Sequence, residues 1–408
     1  MDLAFTNKHW KEGFWYPFPE KRELYFDLAS SLKKKLITSV VGLRRTGKTT
    51  LLKQLINMLV QEGISRQDIL LYSFDEEREL QAVIDEFLKI SAQDIEAKKL
   101  FFFFDEIQKL PQWQNKLKIY YDQYPNLKFV VSGSSSIFIR KNSESLAGRI
   151  QEFWLPPLSF REYLQFRGKS ELIEKQKLFA AELSRELEIF SGRQFIEIIN
   201  ENQEFVENYL DTLAKKIIFE DIPQVFPIEQ PQVLMRLFRI IAHAPGMLLD
   251  YHNLSSDLGI NEKTLSNYVY YLEMAFLIKK IYNYSPNQLT SEKKLKKVYP
   301  IASSFCQADI TKIMESMAIT QRDCKFFWRR TQEVDGILTE EKKLIPFEVK
   351  YSDRIKENEL KGLWQFMEEF STAGIVLTKN LEKKEGMVHY LPLWKWLLEP
   401  NGGVSIVQ

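Results

Sequence analysis

Cysteine is nearly missing from this sequence: Cys306 and Cys324 are the only two in 408 residues. That number makes neither a disulfide framework nor a zinc cluster, and it suits a reducing compartment, so a cytoplasmic location is expected. Histidine is also scarce. His9, His243, His252 and His389 show no ligand spacing and read as ordinary polar residues. No uninterrupted apolar run reaches the length of a bilayer span, so no membrane partner is expected. The first residues, MDLAFTNKHWKEGFW, lack the apolar stretch of a signal peptide. Neither sign of charge dominates: 56 basic against 55 acidic residues leave a net charge of +1, which neither demands nor excludes a polyanionic partner. There is no internal repeat and no low-complexity tract.

What is present is the composition of a folded protein. Hydrophobic residues make up 45%, charged residues 27% and aromatics 13%, which excludes long disordered stretches. At 408 residues the chain exceeds one ordinary core, so two or three domains are expected. Residues 36–41 are short, apolar and β-branched, and predict a buried strand. A glycine-containing loop follows. Then Leu51, Leu52, Leu55, Ile56 and Leu59 recur at helical spacing through Thr49 to Gln61. Further strands are predicted over 69–74, 100–104 and 128–132. Strands alternating with helices predict an α/β fold with a doubly wound parallel sheet, ending near Pro156-Pro157.

The loop after the first strand, Gly42-Leu-Arg44-Arg45-Thr46-Gly47-Lys48-Thr49, fits G-x-x-x-x-G-K-[ST], the phosphate-binding P-loop. The glycines let backbone N–H groups curl around phosphates, and Lys48 reaches the β and γ oxygens. Thr49 places a hydroxyl on Mg²⁺, and the helix beginning at Thr49 and Thr50 turns its positive end toward the same charge. Residues 42 and 44–50 are therefore the expected nucleotide contacts. The strand Leu100-Phe-Phe-Phe-Phe-Asp105-Glu106 ends in two acids. Asp105 is expected to hold Mg²⁺ through water and Glu106 to orient or deprotonate the attacking water. Ser134, after the fourth strand, fits a polar sensor beside the γ-phosphate, or a plain Gly/Ser turn. Arg149 reads either as an arginine finger or sensor, or as a surface arginine.

The segments GLRRTGKTTLL, FFFFDEIQKLPQW, VVSGSSS, SLAGRI and LPPLSFREYL, in this order, resemble the AAA-type ATPases of the archaeal-ATPase class over about residues 20–170. Leu43 departs from that pattern, which often has proline there, at a position that is no phosphate ligand. The resemblance implies ATP as the nucleotide, and no Asn-Lys-x-Asp guanine motif is present.

Residues 158–228 are charged and helical in pattern, and 166–228 read as a linker or lid. Within 229–290, the stretch from Leu254 to Tyr268 looks like a helix–turn–helix, with Gly259 in the turn and Asn261 capping the second helix. Ile278 to Tyr282 fits a wing strand, which makes this a winged-helix region. Lys263, Thr264, Ser266 and Asn267 suit DNA contacts, though the same module packs against an ATPase equally well. In the last block, 291–408, Asp335 opens one strand of a hairpin and Glu348-Val-Lys350 sits on the next, so Glu348 and Lys350 share a face. Glu315, on an upstream helix, is a candidate third acid. This resembles the PD-(D/E)xK nuclease fold, in which two carboxylates bind Mg²⁺ and the lysine acts on the phosphate. An inactive nuclease-like fold or a salt-bridged hairpin gives the same pattern. The segments WRRTQEVD and IPFEVK also resemble a domain of unknown function often fused to these ATPases.

The expected layout is an ATPase domain (1–165), a helical linker (166–228), a winged helix (229–290) and a restriction-endonuclease-like α/β domain (291–408). The expected function is a nucleotide-driven, Mg²⁺-dependent machine or switch acting on DNA. The alternative is an ATP-regulated protein-assembly switch, with self-association or a protein partner and a C-terminal docking domain that catalyses nothing.

Overall fold

A computed structural model describes residues 3–133, 146–340 and 343–399. The chain divides into two compact units, residues 1–156 and 157–408.

The first unit is built on strands β1 (Ile37–Val41), β2 (Ile69–Ser73), β3 (Leu100–Asp105), β4 (Leu127–Gly133) and β5 (Ile150–Trp154). They form one sheet in the order β2-β3-β4-β1-β5, and every pairing is parallel. Helices α1 (Tyr25–Ser31), α2 (Lys48–Gln61), α3 (Leu80–Ser91) and α4 (Trp113–Gln123) accompany it. The four strands expected from their apolar runs are all present. The edge strand β5 was not expected, because Ile-Gln-Glu-Phe-Trp is only partly buried and carries no continuous apolar run.

The phenylalanine run of β3 shows how the sequence fills both sides of this sheet. Successive side chains of a strand point to opposite faces. Phe101 and Phe103 enter a cluster with Leu51, Leu55 and Ile56 of α2. Phe102 instead stacks on Phe129 with ring centroids 5.3 Å apart, and meets Phe87 of α3 edge-on at 5.5 Å.

The second unit holds a nine-stranded mixed sheet among the described residues. Its strands are β6 (Met247–Leu248), β7 (Ile278–Asn283), β8 (Lys297–Pro300), β9 (Phe326–Arg329), β10 (Glu333–Glu340), β11 (Lys343–Val349), β12 (Gly374–Thr378), β13 (Lys383–Glu385) and β14 (Val388–Pro392), in the order β13-β14-β12-β11-β10-β9-β7-β8-β6. Helix α5 (Pro231–His243) precedes β6. Helices α6 (Tyr251–Leu258) and α7 (Glu262–Met274) lie between β6 and β7, and α8 (Ile310–Gln321) lies between β8 and β9. The turn between α6 and α7 forms as read: Gly259 takes φ 69° and the Asn261 side chain caps Thr264 N–H. The strand expected as a wing is β7. It pairs antiparallel with β8 and also parallel with β9, so it is an interior strand of the large sheet.

Residues 158–228 differ most from the reading as a linker. Leu172, Leu183, Leu187 and Phe190 are buried in one cluster with Met314, Phe347 and Trp396. This segment is part of the second unit's core, since a helical face this apolar is stable only when packed.

Candidate functional site

Parallel α/β sheets gather loops at the carboxyl ends of their strands, and polar groups placed there converge on a crevice. Here β1, β3 and β4 deliver the P-loop, Asp105 and Ser132 to that edge. The loop's shape is set by its backbone. Gly47 takes φ 97° and Arg45 φ 69°, left-handed values that glycine adopts freely and arginine adopts only under strain. Gly42 is fixed by space, because a Cβ there would lie 2.3 Å from the Leu155 carbonyl oxygen. The Thr46 hydroxyl donates to Leu43 O at 2.8 Å and closes the turn.

Lys48 is buried, and its ammonium donates to Gly42 O and Leu43 O, both at 3.0 Å. The Thr49 hydroxyl donates to Asp105 Oδ2 at 2.5 Å, and the Ser132 hydroxyl donates to Asp105 Oδ1. A hydroxyl and a carboxylate meeting this way form the oxygen pair that a P-loop magnesium site uses, so the residues fit that ion. Glu106 adopts a left-handed conformation at φ 49°, and Gln108 donates to its carboxylate. Burial raises the Glu106 pKa, Lys48 opposes the rise and Asp105 adds to it. The outcome is a stronger base than an ordinary surface glutamate. Thr49 and Arg45 are exposed at the loop surface, with Arg44 and Thr50 half-buried. Ser134 lies outside the described residues. Arg149 is held by Asp122, Nε to Oδ1 at 2.8 Å and Nη2 to Oδ2 at 3.2 Å, on the exposed surface.

Sequence reading missed Arg22. Its buried guanidinium donates Nη1 to Thr46 O at 2.7 Å and Nη2 to Pro156 O at 2.9 Å, tying the phosphate loop to the end of the unit. Nothing local in Glu-Lys-Arg22-Glu marks it, since these two acceptors are backbone carbonyls far along the chain.

In the second unit the structure brings together Glu315 of α8, Asp335 of β10, and Glu348 and Lys350 at the end of β11. The hairpin register pairs Gly336 with Phe347, and a Cβ on Gly336 would lie 2.1 Å from the Phe347 ring. The β9–β10 register shifts between Val334 and Ile337, a bulge that spans Asp335. Asp335 Oδ2 accepts Val349 N–H at 2.9 Å, Glu348 Oε2 accepts Asp335 N–H at 3.3 Å, and Lys350 donates to Glu348 Oε1 at 2.8 Å. All three acids are buried. Burial raises the pKa of both Asp335 and Glu348; Glu315 raises that of Asp335 further, and Asp335 that of Glu348.

Four neighbours of this cluster were not expected. Lys297 and Tyr299 come from β8, Lys312 from α8 and Glu333 from β10. Tyr299 Oη donates to Glu315 Oε1 at 2.8 Å and Lys312 to Glu315 Oε2 at 2.7 Å. The Lys297 ammonium lies 2.5 Å from Glu333 Oε1, 3.6 Å from Glu315 Oε1 and 4.0 Å from Asp335 Oδ1. Burial works against its charge, and Glu315, Asp335 and Glu333 together raise its pKa all the same. Burial also works against the Glu315 carboxylate, and Lys297 and Lys312 bring its pKa below the ordinary value. Among the described residues, no group of three or more His, Cys, Asp or Glu side chains is placed to hold a metal ion.

Residues 34–164 match the family model of an AAA domain. Over those residues the N-terminal unit is similar to AAA domains. Residues 197–308 and 310–396 match two domains of unknown function, DUF8612 and DUF4143. An uncharacterized protein of Methanocaldococcus jannaschii is 25% identical, covering 91% of this chain and 90% of its own length. An uncharacterized Haemophilus influenzae protein is 27% identical over 64% of this chain and 66% of its own length. Among solved structures, the Aeropyrum pernix Orc1 protein in complex with DNA aligns at 13% identity, covering 76% of this chain and 96% of that one, with a TM-score of 0.33. Cdc6p from Pyrobaculum aerophilum aligns at 11% identity over 76% of this chain and 97% of that one, also at 0.33. Among the described residues, no helix is long and apolar enough to cross a membrane.

Proposed function

We propose that this protein is a Mg²⁺-dependent ATPase that works as a nucleotide-driven switch on DNA. The observation that carries the ATPase reading is the convergence of Lys48, Thr49, Asp105, Glu106 and Ser132 at one sheet edge. Thr49 and Asp105 would hold the magnesium ion, which when bound supplies positive charge against the β and γ oxygens. Lys48 would exchange its two carbonyl partners for phosphate oxygens, so the loop carbonyls hold the ammonium in place before nucleotide arrives. Glu106, kept basic by burial, would orient the attacking water and take its proton.

The DNA reading is supported by the second unit. A winged-helix reading draws support from the order α5-β6-α6-α7-β7, then a short helix Gln288–Lys293 and β8, and from α7, which exposes Lys263, Ser266, Asn267 and Tyr270. A nuclease-like reading draws support from the order α8-β9-β10-β11, then a helix Lys361–Phe370 and β12. One observation favours the alternative, a protein-assembly switch with a docking unit that catalyses nothing: the acids of that core are already engaged by neighbouring donors.

Measuring Mg²⁺-dependent ATP turnover with and without plasmid DNA at low salt tests both layers. Turnover that rises with DNA is the expected result. Turnover indifferent to DNA, with no DNA retained at low salt, would transfer the switch to a protein partner. Absence of turnover under every condition would remove the ATPase reading.

A further inference from the structure

A divalent cation in a nuclease-type carboxylate site needs lone pairs that face one point, with room for about six oxygens at about 2.1 Å. The acids of the second unit keep lone pairs beyond those their neighbours engage, since each carboxylate oxygen can accept twice, but the space beside them is already filled. Glu315 spends Oε1 on Tyr299 and Oε2 on Lys312. Glu348 spends Oε1 on Lys350 and Oε2 on the Asp335 amide. Asp335 spends Oδ2 on the Val349 amide. Its remaining oxygen, Oδ1, faces a cation already in place: the Lys297 ammonium at 4.0 Å, which also lies 3.6 Å from Glu315 Oε1 and 2.5 Å from Glu333 Oε1.

The ammonium is enclosed rather than passing by. Lys297 is 2% exposed, Phe327 lies beneath it with its ring centroid at 5.4 Å, and Gly246 packs so closely that a Cβ there would lie 3.0 Å from Glu315 Oε1 and from Tyr299. The residues present therefore do not fit a resident divalent metal. We infer that Lys297 is the built-in cation of this cluster, holding Glu315, Glu333 and Asp335 together without a metal ion and barring Mg²⁺ or Mn²⁺ from the site. A buried charge of +1 at this position repels a second cation at contact range, and its carboxylates gain their compensation from it.

The consequence is a nuclease-like unit whose metal position is filled by its own chain. The inference rests on the nuclease-like reading of this site, but its test reads metal binding and not DNA cleavage or ATP turnover, so the two can fail separately. The nucleotide-free full chain is titrated with Mn²⁺, and free Mn²⁺ is followed by electron paramagnetic resonance. Wild type and Asp335→Asn are expected to give the same binding curve into the millimolar range. Lys297→Met keeps the stem and removes the charge, and is expected to gain one bound Mn²⁺ per chain that the added Asp335→Asn change abolishes. Should Lys297→Met fold only when Mn²⁺ is supplied, as judged by its melting in Mn²⁺ against EDTA, the metal has taken the ammonium's place, which supports the inference. Should it fold under neither condition, the wild-type comparison decides alone. Wild-type Mn²⁺ binding that Asp335→Asn removes, or a folded Lys297→Met that binds no Mn²⁺, would overturn it.

Discussion

Arg22 offers a sharp test of how the phosphate loop is held. Replacing it with Met keeps most of the aliphatic stem and deletes two charged hydrogen bonds, to Thr46 O at 2.7 Å and to Pro156 O at 2.9 Å. Each hydrogen bond from a charged donor contributes about 1.5–3 kcal/mol, and the carbonyl left behind loses its partner. The two share one side chain, so their loss is not additive, and a destabilisation of about 3–4 kcal/mol is expected. The nucleotide effect is separate. Arg22 holds the loop through a backbone carbonyl, that of Thr46, so its loss should loosen the loop without removing an expected phosphate ligand. ATP affinity should fall by about tenfold, or about 1.4 kcal/mol. Denaturant unfolding gives the first quantity, and calorimetric titration with a non-hydrolysable ATP analogue gives the second. Arg22→Lys should recover one of the two bonds and part of both effects. An unfolding midpoint and an affinity that both match wild type would show that Arg22 does not brace the loop.

Other consequences are independent of that one. Lys48→Ala should weaken ATP binding by about 1.5–3 kcal/mol and abolish turnover, and unchanged affinity would contradict the phosphate-loop assignment. Glu106→Gln should bind ATP and fail to hydrolyse it, whereas Asp105→Asn should lose the Mg²⁺ dependence of binding; wild-type turnover in Glu106→Gln would place the base elsewhere. His9 is buried between Tyr16 Oη at 3.0 Å and Ile69 O at 3.1 Å, and burial holds its pKa down to about 4 from the usual 6.5. The folded form keeps it neutral while the unfolded chain takes a proton near pH 6.5, so its stabilisation is full above that pH and is lost as pH falls toward 4. The loss should reach about 3 kcal/mol, visible as a pH-dependent unfolding midpoint that flattens over this window in His9→Gln.

The sequence determined four of the first unit's five strands, the phosphate loop and the helix after it, for a local reason. A buried parallel strand is a continuous apolar run, a phosphate loop is eight consecutive residues, and a strand ending in Asp-Glu carries its acids on neighbouring positions. The edge strand β5 escaped because it is only partly buried, and its adjacent Gln151 and Glu152 break the apolar run. In the second unit the acid-to-acid-x-lysine spacing of Asp335, Glu348 and Lys350 was legible, since a hairpin register is short-range. What only the tertiary structure decided is the company those groups keep. Arg22 reaches Pro156 across 134 positions, His9 reaches Ile69 across 60, and Lys297 meets acids from α8 and β10 that no spacing rule connects. The same lysine in a run of Lys-Lys-Leu-Lys-Lys reads as a solvated surface charge, and becomes an enclosed cation because β8 carries it into the sheet. Burial and electrostatic pairing depend on three-dimensional distance, and a sequence records only the order in which the partners are strung.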